Sequence, residues 1–242
     1  MHNFLFGIYP YIALSVLVIG SIARYETDPF TWKTSSSQLL RRKQLILGSV
    51  LFHLGILVIF FGHFVGLMTP IQIFDALGIS HSAKQLLAMG AGGIAGVLSL
   101  IGGLLLLHRR LFDSRIRKTS SFADIGILAI IVLQLILGIG TIFVSAQHLD
   151  GHEMTKFMTW TQKIVTFRAG AAEEIADVAL IFKLHMFLGL TIFVLFPFTR
   201  LVHMLSAPIR YVLRPGYQIV RDRKSTRLNS SHLKLSRMPS SA

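Results

Sequence analysis

Residues 51 to 66 read LFHLGILVIFFGHFVG, a run that is apolar except for two histidines, His53 and His63. The run extends from Leu45 to Met68 without a charged residue, and that exceeds the about 20 residues a helix needs to cross a bilayer. Similar runs cover Phe4 to Ala23, Gln85 to Leu107, Phe122 to Val144 and Val178 to Val202. With 52% apolar and only 14% charged residues in 242, the chain reads as an all-α integral membrane bundle of five transmembrane helices. The first run carries Pro10, which predicts a kink, and it lacks the basic start and small-residue cleavage site of a signal peptide. It is read as a retained helix.

Basic loops stay on the cytoplasmic side of a membrane, so Lys and Arg set the orientation. Arg24, Lys33, Arg41, Arg42 and Lys43 lie between spans one and two. Arg109, Arg110, Arg115, Arg117 and Lys118 lie between spans three and four, and Arg200, Arg210 and Arg214 close span five. The opposite loops offer Lys84 alone, or Lys156, Lys163 and Arg168 diluted by Asp150, Glu153, Glu173, Glu174 and Asp177. The N-terminus is therefore expected outside and the C-terminus on the cytoplasmic side. The net charge of +13 is mostly this topological signal, so no nucleic-acid partner is inferred.

The chain has no cysteine, which excludes cysteine-held iron–sulfur clusters, covalent c-type haem and disulfides. A phosphate-binding loop and an H-E-x-x-H zinc helix are also missing from the sequence. The last stretch, RKSTRLNSSHLKLSRMPSSA, resembles translated adaptor sequence. Residues 1–223 are taken as the membrane domain and 224–242 as a polar tail of artefactual origin, with a genuine disordered tail as the alternative.

Ionisable side chains within spans are costly and tend to face the bundle interior with a partner, which makes each a functional candidate. Span two carries His53 and His63, and span five carries His185 and His203. A single such histidine is as well explained by a hydrogen bond across helices. Spans two and five run in opposite directions, however, so His63 and His185 share the outer level and His53 and His203 the inner one. A cross-helix pair of neutral imidazoles is what a six-coordinate haem b requires as axial ligands. Ten residues of helix rise roughly 15 Å and eighteen roughly 27 Å, so tilt and a kink at Pro197 must absorb the difference. Eighteen residues also return to the same helix face, whereas ten leave two side chains roughly 80° apart around the axis, and the two haems would not be coaxial. The other reading is a proton relay or a set of packing contacts in a haem-free anchor or small transporter.

Gly62 and Gly66 bracket His63, Gly55 follows His53, and Gly189 lies one turn beyond His185. Small residues admit either a flat macrocycle or a neighbouring helix, and MGAGGIAG in span three reads as close helix packing. Lys183, Arg109, Arg110 and Arg200 are candidates for haem propionates, though each alone reads better as a snorkelling or positive-inside residue. His148 and His152 have helical metal-ligand spacing but lie in an outer loop, where a solvated face is the better reading. The segment MTKFMTWTQKIVTF aligns Met154, Phe157, Met158 and Val165 near Trp160, which predicts an interfacial helix on the outer leaflet.

The segments LFHLGILVIFFGHFVGLMTP, AMGAGGIAGVLSLIGGLLLLHRRLF, VSAQHLDGHEM and FKLHMFLGLTIFVLFPFTRLVHMLSAP resemble the gamma, or cytochrome b, subunit of the membrane-bound bacterial respiratory nitrate reductase, from about Ile8 to Arg223. The resemblance implies a multi-pass protein of the bacterial inner membrane that holds two haem b groups and oxidises membrane quinol near the periplasmic face. It implies as partners a cytoplasmic iron–sulfur (beta) subunit and a molybdenum catalytic (alpha) subunit that reduces nitrate. Carried over by position, His63 and His185 would ligate the haem distal to those subunits, and His53 and His203 the proximal one. Gly62 and Gly66 would give the haem or quinol access, and Lys84 would mark the quinol site. The residues alone read Lys84 as a lysine snorkelling from a helix end. Without the resemblance, a dihaem subunit of another reductase, a hydrogenase or a formate dehydrogenase fits the same histidines.

Overall fold

A computed structural model describes residues 1–32 and 40–206. Lys33, Arg210, Arg214, the boundary at Arg223 and the tail 224–242 lie outside the described residues.

Five helices are long and apolar enough to cross a membrane, spanning Phe4–Thr27, Arg42–Met68, His81–Phe112, Phe122–Ser145 and Leu180–Phe198. We label the α-helices in chain order: α1 (Tyr9–Thr27), α2 (Arg42–Met68), α3 (Ile71–Ala76), α4 (His81–Phe112), α5 (Ser114–Thr119), α6 (Phe122–Ser145), α7 (His152–Val165) and α8 (Leu180–Leu195). No strand occurs among the described residues. A π-helical turn at Phe4–Ile8 leads into α1 directly before Pro10, which supplies no backbone N–H and is tolerated at a helix start.

Local chemistry sets the helix ends. The Ser80 hydroxyl accepts from the Ala83 N–H to start α4, four residues earlier than the apolar run suggests, so Lys84 lies in the first turn of that helix. Ser121 and Asp124 form a capping box at the start of α6. Asp113 caps α5 by accepting from the N–H groups of Arg115 and Ile116, and it pairs with Arg41 at 2.8 Å.

Packing runs from α2 to α4, α4 to α6, α6 to α8 and α8 to α1. Glycines permit the α2/α4 crossing: a Cβ on Gly55 would collide with Ser99 and the Ala95 carbonyl, and one on Gly102 with the Phe52 backbone. Within MGAGGIAG the packing expectation holds for Gly93 and Gly96, which face Ile142 and Ile139, while Gly90 and Gly92 face open space. Apolar side chains such as Ile19, Leu54, Leu87, Ile94 and Phe143 are exposed, as lipid-facing residues are.

Span five departs from the expected helix through Val202. The α-helix ends at Leu195, a 3₁₀ turn covers Phe196–Phe198, Thr199 is extended, and a second 3₁₀ segment covers Arg200–Ser206. Pro197 is the physical cause, because its ring clashes with the preceding turn and it cannot donate to the helix ladder. His203 is therefore carried by the second 3₁₀ segment, not by α8.

The expected interfacial helix is α7, with a different buried face. Met158, Trp160, Thr161 and Ile164 are buried, while Val165 is 38% exposed. The Trp160 indole N–H donates to the Phe6 carbonyl at 2.9 Å, and α7 packs on α2 and α4. It lies against one end of the bundle.

Candidate functional site

The four histidines meet in two pairs. His63 of α2 and His185 of α8 have ring centres 6.2 Å apart with ring planes 43° from each other. His53 of α2 and His203 of the 3₁₀ segment also have ring centres 6.2 Å apart, at 72°. The pairing expected from antiparallel spans is the pairing in the structure, at the α7 end and the α5 end of the bundle respectively.

The eighteen residues from His185 to His203 are not one helix, so the rise of roughly 27 Å expected of a continuous helix does not apply to them. The break at Pro197 also removes the expectation that His185 and His203 share a helix face.

Three of the rings are oriented by backbone carbonyls. Nδ1 of His53 lies 2.8 Å from the Ser49 carbonyl oxygen, Nδ1 of His63 2.9 Å from that of Ile59, and Nδ1 of His203 2.5 Å from that of Arg200. Donation from Nδ1–H to a carbonyl selects the tautomer whose Nε2 keeps its lone pair, the arrangement typical of metal-ligating histidine. His185 is held by other means. The Gln134 amide donates to the His185 backbone carbonyl at 3.0 Å, Gly138 leaves room for the ring, and Nδ1 is buried without a hydrogen-bond partner.

This arrangement fits haem. Two imidazoles sharing one iron, each nitrogen about 2 Å from the metal, have ring centres roughly 6 Å apart. Gly62 and Gly66 face open space beside His63, so neither is used for helix packing, and a macrocycle or ring substrate has access there. Gly55, by contrast, belongs to the α2/α4 crossing. Gly189 lies against the Gln134 amide.

Lys84 is not a snorkelling lysine. It is 8% exposed, and its Nζ donates to the Gly66 carbonyl at 3.0 Å, approaches the Met158 sulfur at 2.8 Å and stands 3.7 Å over the Phe74 ring. The ammonium is thereby joined to the α2 segment just beyond His63 and to the underside of α7. Phe74 and Gln134 escaped the sequence reading because neither belongs to a motif or carries a charge.

The secondary candidates have partners of their own. Lys183 donates to the Ala176 carbonyl, Arg109 to the Leu40 carbonyl and Arg110 to Ser120, and Arg200 pairs with Asp124 at 3.6 Å. His148 and His152 join no cluster of three or more metal-ligating side chains among the described residues.

Comparison with known proteins decides the family. The family model described as nitrate reductase gamma subunit matches residues 2–223. The chain belongs to the nitrate reductase gamma subunit family. It is 52% identical to the respiratory nitrate reductase 1 gamma chain of Escherichia coli over 92% of this chain and 98% of that one. It is 41% identical to the nitrate reductase gamma chain of Bacillus subtilis over 90% and 97% of the two chains. As a gamma chain with five membrane-crossing helices, it is a multi-pass inner-membrane subunit of a redox enzyme assembly for nitrate. The family match stops where the polar tail begins.

Proposed function

We propose that this chain is the quinol-oxidising dihaem cytochrome b subunit that anchors a respiratory nitrate reductase to the membrane. The observation that carries this is the presence of two histidine pairs, stacked along the bundle with equal ring separations of 6.2 Å. In this reading His63 and His185 hold the distal haem b, and His53 and His203 the proximal one. The membrane domain ends near Arg223, with the N-terminus periplasmic and the C-terminus cytoplasmic.

Haem held by His63 and His185 and by His53 and His203 would supply one-electron chemistry between quinol and a cytoplasmic iron–sulfur (beta) subunit that serves a molybdenum (alpha) subunit. The residues of this chain do the remaining work. Quinol enters from the lipid beside Gly62 and Gly66, and Lys84 Nζ, released from the Gly66 carbonyl, donates to a quinol oxygen and orients the ring. Oxidation releases two protons from each quinol on the periplasmic side, and α7 covers the site against bulk water. Charge thus crosses the bilayer as electrons, with no proton channel needed.

The test is quinol-driven nitrate reduction by the whole complex in inverted membrane vesicles. Haem reduction by a quinol analogue with nitrate-dependent reoxidation supports the assignment, whereas haem that quinol cannot reduce contradicts it.

A further inference from the structure

The turn that carries His203 is held by α1. Pro197 and Thr199 are buried just beyond the end of α8, where the regular i to i−4 ladder is broken. Buried carbonyls need a donor, and one guanidinium nitrogen supplies both: Arg24 Nη1 donates at 2.7 Å to Pro197 O and at 2.8 Å to Thr199 O. The other terminal nitrogen, Nη2, is tied to the Thr31 carbonyl at 2.9 Å, which fixes the fork.

Gly20 lies one turn earlier on the same face of α1. A Cβ there would stand 2.8 Å from Pro197 Cγ, and a proline ring cannot swing away, so only glycine lets α1 approach the break. From the other side Asp124 of α6 pairs with Arg200, whose carbonyl accepts from Nδ1 of His203. The path from Gly20 and Arg24 to the His203 ring is therefore short and built from directional contacts.

We propose that Gly20 and Arg24 form a clamp on the Pro197 break that sets the height and orientation of His203, which makes them positioning residues for the proximal haem. The proposal rests on the haem reading above. It assigns Arg24 a role beyond marking the cytoplasmic side, since an orienting surface charge has no need to bond two buried carbonyls.

The experiment uses the whole complex in membranes, with haem content and the low-spin spectrum and midpoint potential of each haem read for R24A, R24K, G20A, P197A and G20A/P197A. In R24A and G20A the proximal haem is expected to be lost or to shift in spectrum and potential while the distal haem keeps both. R24K, which retains a donor, is expected to recover part of the native signature, and G20A is expected to add little in the P197A background. If R24A does not accumulate, R24K and G20A are read on the same criteria. Native spectra and potentials for both haems in R24A and G20A, or equal damage to the two haems, would overturn the clamp. Wild-type complex with no haem on this chain would instead overturn the reading on which the clamp rests.

Discussion

His53 and His203 face each other with ring centres 6.2 Å apart, although one is carried by a regular helix and the other by a 3₁₀ segment beyond a proline break. The same separation recurs at His63 and His185, which are carried by two regular helices. Equal separations reached through unequal backbones point to one geometric requirement met twice.

Each histidine pair should behave as a unit. His63→Ala and His185→Ala are expected to remove the same haem, His53→Ala and His203→Ala the other, and a double variant within a pair should lose no more than either single one. Haem extraction with optical spectra of each variant checks this. A within-pair double variant that loses both haems would contradict the pairing.

Lys84→Ala should leave both haems bound and weaken quinol turnover. Loss of a charge-assisted donor is worth about 1.5–3 kcal/mol, roughly a 10- to 150-fold weakening of quinone-analogue binding. Unchanged quinol kinetics would remove Lys84 from the site.

The glycines of α2 should separate into two classes. Gly55→Leu drives a side chain into Ser99 and the Ala95 carbonyl and should cost at least about 1–3 kcal/mol, read as a lower thermal midpoint in detergent. A Cβ at Gly62 or Gly66 meets no atom of the described residues within 4 Å, so in Gly62→Ala and Gly66→Ala the fold should hold while haem retention or quinol binding falls. Equal thermal losses in both classes would show that Gly62 and Gly66 serve packing.

The docking of α7 should be insensitive to pH across the physiological range. The Lys156 ammonium, 2.5 Å from Asp177, holds that carboxyl below the usual carboxylate range. A depressed value stabilises the fold above the unfolded pKa, about 3.9, and the contribution is lost only as pH falls through the folded value. Trp160 emission in a Trp32→Phe background should therefore stay constant from pH 8 to about 5, and Asp177→Asn should shift it at neutral pH. A transition near pH 6.5 in the parent would point to a histidine instead.

The histidine pairing was legible because it depends on two simple quantities, the direction of each span and the level of each histidine along it. The fate of span five was legible only in part. Pro197 announces a disturbance, but its size depends on Arg24 and Gly20 of α1, which meet the break only in the folded chain. Lys84 could not be told from a snorkelling lysine, because its burial requires α7 to fold over it and offer Met158. The α7 segment shows an amphipathic pattern, yet periodicity cannot say whether its apolar face meets lipid or the bundle. The indole bond from Trp160 to Phe6 supplies that answer.

The most direct measurement is a reduced-minus-oxidised optical spectrum of the purified complex, with haem extracted and counted per gamma chain. Two b haems per chain are predicted, both low-spin as paired imidazoles require. A folded complex, expressed with ample haem, that carries none on this chain would contradict the assignment and leave the four histidines as packing or proton-relay groups.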